Sequence, residues 1–281
     1  MNKSIKINGK ILSRYSEILS DDALQFVEEI HNSFNNKRLE LLKERKKRQK
    51  AIDEGYKLDF LNETKKIRDA TWKIKNIPKD LLKRQVEITG PPVPKKMFIS
   101  ALNSGADCYM TDFEDSLTPT FDNLIKGQLN VKDAVNKKID FIDKKTGKNY
   151  KLNEKTAVLI IRPRGLHLDE KNIKINNERI SGTFFDLGIS LFHNAKQLIK
   201  NGSGPYFYLP KLEHYLECRL LNDVISFCEK KLGFKIGTVK VTVLIETINA
   251  VFQMDEFLWE LKDHIVGLNA GRWDYLFSTT S

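Results

Sequence analysis

Residues 85 to 96 read QVEITGPPVPKK, a short β-prone run that breaks into one glycine and three prolines. A dinucleotide-binding sheet needs a glycine-rich turn after its first strand, so that the backbone can approach a pyrophosphate. Proline-stiffened ITGPPVPKK does not provide one. Five further β-branched or aromatic runs follow: DCYMTDFED (107 to 115), TAVLIIRPRG (156 to 165), PYFYLPKLE (205 to 213), KVTVLIET (240 to 247) and HIVGLNAGRWD (264 to 274). Amphipathic helical patterns separate them at intervals suited to βα units. Alternation of this kind implies a parallel sheet, and without the nucleotide turn the expected closure is a (β/α)8 TIM barrel, of which about six strands are present.

The helical patterns support this parsing. Phe184, Leu187, Leu191 and Leu198 step by three and four, with Ser181 placed to cap the start and Gly202 the end. Leu221, Ile225, Cys228 and Leu232 line a second stripe that Gly233 closes, and Val251, Met254, Phe257, Leu258 and Leu261 a third. Residues 1–84 carry no convincing strand and are expected to form a helical N-terminal domain. Residues 85–281 form the partial barrel, interrupted at about 130–155 by a β-hairpin around Thr146-Gly147.

The chain has 281 residues, 41% hydrophobic and 30% charged, which is an ordinary globular composition. Its three cysteines are too few and too irregular for a disulfide framework or a zinc site, and no apolar stretch is long enough to span a membrane. The net charge of +10 raises nucleic acid as a partner. The densest basic run, KERKKRQK (43 to 50), continues a helical pattern whose apolar face holds Leu24, Val27, His31 and Phe34, so it reads as the solvated side of a long helix. Neither nucleic acid nor membrane is an expected partner.

In a barrel the chemistry sits where the strands end. Those positions hold Asp112, Glu114 and Asp115; Arg162 and Arg164; Lys211 and Glu213; Glu246; and Asp274. Arg162 and Arg164 alternate along one strand, so one faces the site and the other the helix layer. Glu246 ends the most apolar strand, where a carboxylate must be paired, hydrogen-bonded or metal-bound. Two hard oxygen ligands from neighbouring strands suit Mg²⁺ better than zinc.

The same stretches, VEITGP, MTDFEDS, RPRGLH, GSGPYFYLPK, VLIETINAVFQMDE and GLNAGRWDYLFS, stand in the order and spacing of A-type malate synthases, which the chain resembles over most of its length. That resemblance implies condensation of glyoxylate with acetyl-CoA and water to give malate and CoA, with Mg²⁺ as cofactor. It matches the catalytic arginine to Arg162, the metal ligands to Glu246 and Asp274, the glyoxylate cradle to Gly271, Arg272, Trp273 and Asp274, and acids holding the metal's waters to Asp112 and Glu114. Asn249 stands where the family usually has proline, and Ala270 where cysteine is common.

The family's proton-abstracting aspartate is expected beyond Ser281, as are strands seven and eight and a helical C-terminal domain. The 281-residue chain is therefore expected to be inactive alone, as the product of a split gene, a frameshift or an incomplete gene record, with a complementary C-terminal chain as partner. The compartment implied is cytoplasmic or peroxisomal/glyoxysomal. Two rival readings are a Mg²⁺-dependent citrate-lyase-β-like CoA-ester lyase and a non-catalytic remnant.

Overall fold

A computed structural model describes residues 4–280. The chain opens with a short strand, β1 (Ile5–Ile7), and a 33-residue helix, α1 (Asp21–Asp53). The Ser20 hydroxyl caps α1 by accepting from the Ala23 amide, and Asp21 and Asp22 in the first turn complement the helix dipole. Its buried face, Phe26, Val27, Ile30 and His31 among others, packs on later helices of the barrel layer. A single-turn helix, α2 (Lys65–Arg68), follows.

The barrel region then runs β2 (Glu87–Gly90), α3 (Lys95–Leu102), β3 (Cys108–Asp112), α4 (Phe121–Val135), a hairpin of β4 (Asp140–Ile142) and β5 (Asn149–Lys151), and β6 (Val158–Arg162). It continues with a second hairpin of β7 (Asp169–Ile175) and β8 (Glu178–Ser181), α5 (Gly182–Lys200), β9 (Tyr206–Leu209), α6 (Tyr215–Leu232), β10 (Lys240–Ile245), α7 (Ile248–Val251), α8 (Met254–Glu260), β11 (Ile265–Ala270) and α9 (Arg272–Ser278). Six of these strands form one parallel sheet in the order β2-β3-β6-β9-β10-β11.

That order never reverses. A doubly wound sheet reverses at a switch point, whereas right-handed crossovers between strands added in sequence place every helix on one face. The two faces carry different cores. Tyr109, Ile161, Phe207, Val241 and Val243 belong to the large cluster shared with the helices, while Cys108, Ile160, Tyr208, Leu244 and Val266 form a small cluster on the other side. Across that inner side Arg84, just ahead of β2, donates to Thr242 Oγ1 on β10 (3.0 Å) and to the Val266 carbonyl on β11 (3.0 Å). Tyr208 on β9 likewise reaches Glu87 on β2. Strands at opposite ends of the order meet over one face, so the sheet is curled as an arc of a barrel.

Several expectations need correction. Residues 1–84 do contain a strand, because β1 pairs antiparallel with β7, Ile5 opposite Ile175 and Ile7 opposite Ile173. β7 and β8 turn at Asn176 and Asn177, with φ +51 and +68, the left-handed pair that a two-residue hairpin requires. The single helix expected after β10 is two short ones, α7 and α8, and Met254 at the start of α8 is 40% exposed, outside the core. Among the described residues no helix is long and apolar enough to cross a membrane.

Candidate active site at the carboxyl ends of the strands

Strand parity assembles the site. On β3 the inner positions Cys108 and Met110 lead to Asp112; on β6 Val158 and Ile160 lead to Arg162; on β10 Thr242 and Leu244 lead to Glu246. Asp112 and Arg162 are register partners on adjacent strands. The guanidinium grips the carboxylate with Nε to Oδ1 at 2.8 Å and Nη2 to Oδ2 at 2.7 Å, and both side chains are buried. Arg162 Nη1 is left facing Asp115 Oδ2 at 3.2 Å and Glu114 Oε2 at 3.7 Å. Arg164, two residues on, pairs with Asp186 on α5 and Glu170 on β7, so the two arginines do face opposite ways.

Lys211, just past β9, is the hub of the cluster. Its backbone is left-handed, φ +52, a conformation that costs a non-glycine residue roughly 1–3 kcal/mol and persists only where the surroundings hold it. Its amide donates to Glu246 Oε1 at 2.7 Å. Its ammonium lies 3.2 Å from Glu114 Oε2, 3.0 Å from Asp115 Oδ1 and 3.2 Å from Asp274 Oδ2. The Glu246 and Asp274 carboxyl groups are within hydrogen-bonding reach of each other. Gly271 makes room for this, since a Cβ there would lie 2.6 Å from Glu246 Cβ and 3.0 Å from its Oε2.

Burial disfavours the charged forms. It pushes Glu114 up to about 7, against the pull of Lys211. It pushes Glu246 up to about 7 as well, with Asp274 adding to the rise and Lys211 opposing it. Burial alone would raise Asp112 too, but the Arg162 hydrogen bonds and charge hold it below the usual aspartate range. The carboxylates around Lys211 outweigh burial and lift its ammonium above the ordinary lysine value.

The donor set fits a hard divalent cation. It is all carboxylate, and buried Glu114 Oε1 has no hydrogen-bond partner. Among the described residues no three His, Cys, Asp or Glu side chains converge on one point.

Asp112, expected to hold waters of the metal, is the partner that orients Arg162. Its four hydrogen bonds come from Arg162, twice, and from the amides of Glu114 and Ser116, so both oxygens are committed to orienting the arginine and its own loop. Gly271 spends its amide on the Ile245 carbonyl at 2.9 Å. Arg272 and Trp273 open α9, the guanidinium stacked 4.5 Å over the indole, which is 65% exposed. Lys211 was visible in the sequence only as one more strand-end charge, because nothing in PKLE announces a left-handed lysine.

Comparison with known proteins fits this geometry. Residues 3–66 match the malate synthase N-terminal domain and residues 158–281 the malate synthase TIM barrel domain. The chain is 51% identical to a malate synthase of Myxococcus xanthus over 98% of its own length and 50% of that protein's. It is 50% identical to malate synthase A of Escherichia coli over 93% of this chain and 49% of that one. The chain belongs to the malate synthase family. Its match to that family's N-terminal domain removes the citrate-lyase-β-like alternative, which does not account for the helical first 84 residues. A glyoxysomal malate synthase of Cucurbita maxima is 46% identical over 98% of this chain and 49% of its own. The chain thus spans about half the length of the curated malate synthases it matches. A solved Haloferax volcanii malate synthase in a magnesium/glyoxylate complex aligns with a TM-score of 0.49 and 16% identity, over 69% of this chain and 53% of that one.

Proposed function

We propose that this chain carries the metal- and glyoxylate-binding part of a malate synthase active site, with Glu246 and Asp274 holding Mg²⁺ and the backbone from Gly271 to Asp274 receiving glyoxylate. The observation that carries the proposal is the convergence of Glu246 and Asp274 on Lys211, whose amide holds the first and whose ammonium the second, with Glu114 and Asp115 shared between Lys211 and Arg162. Bound there, Mg²⁺ supplies a Lewis acid that withdraws electron density from the glyoxylate aldehyde. Gly271's amide being engaged, the peptide donors available to substrate are those of Arg272, Trp273 and Asp274.

Arg162 supplies the positive charge for the enolate oxygen as acetyl-CoA loses a methyl proton. Its Nη1 is the nitrogen that Asp112 leaves open, and its charge is held permanently by the bidentate pair. Glu114 and Asp115 line the same opening, and the unpartnered Glu114 Oε1 would accept a hydrogen bond from a water bound there. We place acetyl-CoA in a cleft of about 760 Å³ that opens between Leu12 to Tyr15, the start of α3, the loop from Ser116 to Thr118 and the exposed side of α4 at Asn123 and Lys126. Carbon–carbon bond formation gives malyl-CoA, and water then cleaves its thioester to malate and CoA.

The complete reaction is proposed for a protein that also supplies the proton-abstracting aspartate and the remaining strands, either within one chain or on a complementary one. Its place is the glyoxylate cycle, in the cytoplasm or in peroxisomes or glyoxysomes.

The test has two parts. Calorimetry should find Mg²⁺-dependent binding of glyoxylate to this chain, lost in Asp274→Asn. A thiol reagent should then detect glyoxylate-dependent CoA release from acetyl-CoA once a family C-terminal half is added. Glyoxylate binding indifferent to Mg²⁺ and to Asp274→Asn would sink the proposal.

A further inference from the structure

We propose that Arg45, in the basic stretch of α1, is a positioning residue that locks the Lys211 turn and so aims the Glu246 carboxylate. The proposal rests on the metal-site reading above. Arg38 and Arg45 are seven residues apart, two helical turns, and therefore share one face of α1. That face turns inward, while Lys43, Lys46, Lys47 and Lys50 stand exposed. Each arginine donates to backbone carbonyls of a strand-end loop. Arg38 reaches Leu166 O at 2.5 Å and Leu168 O at 3.3 Å, after β6, and Arg45 Nη2 reaches Lys211 O at 2.8 Å, after β9.

Arg45 is itself held. Its Nε and Nη2 grip the Glu217 carboxylate at 2.8 and 2.7 Å, and Nη1 meets Glu213 Oε1 at 3.1 Å. Glu217 is 1% exposed and also accepts from the Glu213 amide at 2.9 Å, which ties the start of α6 into the same knot. The Lys211 peptide is thus fixed on both sides, its carbonyl by Arg45 and its amide by Glu246. If φ of Lys211 relaxed to a negative value, the amide would turn from Glu246 and release that carboxylate. Lysine at position 45 could keep a charge near Glu217 but lacks the fork that serves Glu217 and Lys211 together.

Binding of Mn²⁺ to the full chain, read from the electron paramagnetic resonance signal of the free ion, tests this. Arg45→Lys should bind about 10–100-fold more weakly than wild type, the loss usual for groups that orient a metal ligand. The double variant Arg45→Met/Glu217→Gln, which removes one charge of each sign and leaves Glu213 facing Arg48, should show the same loss. Lys46→Ala should bind as wild type. Amide exchange at Lys211 should quicken in both Arg45 variants with the circular dichroism spectrum unchanged, which a general packing role would not produce. Unaltered Mn²⁺ affinity and unaltered Lys211 exchange in either folded variant would overturn the role of Arg45. Absence of Mn²⁺ binding in the wild-type chain would overturn the metal-site reading and this proposal with it.

Discussion

Arg162 and Arg164 sit two residues apart and both are buried, yet they belong to opposite kinds of ionic cluster. Around Arg164 every carboxylate oxygen is used. Asp186 takes the Arg164 amide and two guanidinium nitrogens, while Glu170 takes Nη1 and, through its other oxygen, the amide and side chain of Asn172. Around Arg162 and Lys211 stand five carboxyl groups, those of Asp112, Glu114, Asp115, Glu246 and Asp274, against two cations, and Glu114 Oε1 has no partner. The first cluster is complete as it stands. The second has acids left over, which is the condition for taking up a further cation.

The largest effect is expected where the complete cluster is broken. Arg164→Met leaves Asp186 and Glu170 buried without their counter-charge and should cost about 3–5 kcal/mol in urea unfolding. A loss under 1 kcal/mol would mean that the cluster is less closed than its hydrogen bonds indicate. Next, Gly271→Ala drives a methyl group against Glu246 and should weaken Mn²⁺ binding about 10–100-fold, with a smaller change in unfolding midpoint.

The open cluster should also register in pH dependence. Glu114 and Glu246 have folded pKa values raised by burial to about 7, from an ordinary value of 4.5. The folded state then binds more protons than the unfolded state between these values, so metal-free stability is full below about 4.5 and falls as pH rises through 7. Glu114→Gln should flatten that slope, as measured by thermal unfolding from pH 5 to pH 8, and an unchanged slope would remove Glu114 from the open cluster. The smallest effect belongs to Lys46→Ala on the exposed side of α1, which should stay within about 0.5 kcal/mol of wild type.

What could be read from the sequence followed from periodicity. Six apolar runs became the six parallel strands, and their last residues brought Asp112, Arg162 and Glu246 to one edge. What escaped depended on partners distant in the chain. β1 is three residues long and exists by pairing with β7, over 160 residues later, so no local pattern announces it. KERKKRQK reads as uniformly solvated because a polarity pattern treats Arg45 and Lys46 alike, while only the arginine has a buried carboxylate waiting on α6. The commitment of Asp112 to Arg162 became visible only once the register of β3 against β6 was set.

Arg84 has a bearing on how this arc assembles. Neighbouring strands of the sheet are also neighbours in the chain, so each pairing closes a comparatively short loop. Arg84 instead joins Thr242 and Val266 across 158 and 182 residues, contacts whose loop-closure entropy is larger by about 1–2 kcal/mol. Such contacts form late, after the strands between them have paired. An Arg84→Met chain should therefore fold at nearly the wild-type rate and unfold faster, which makes this one side chain a latch on kinetic lifetime.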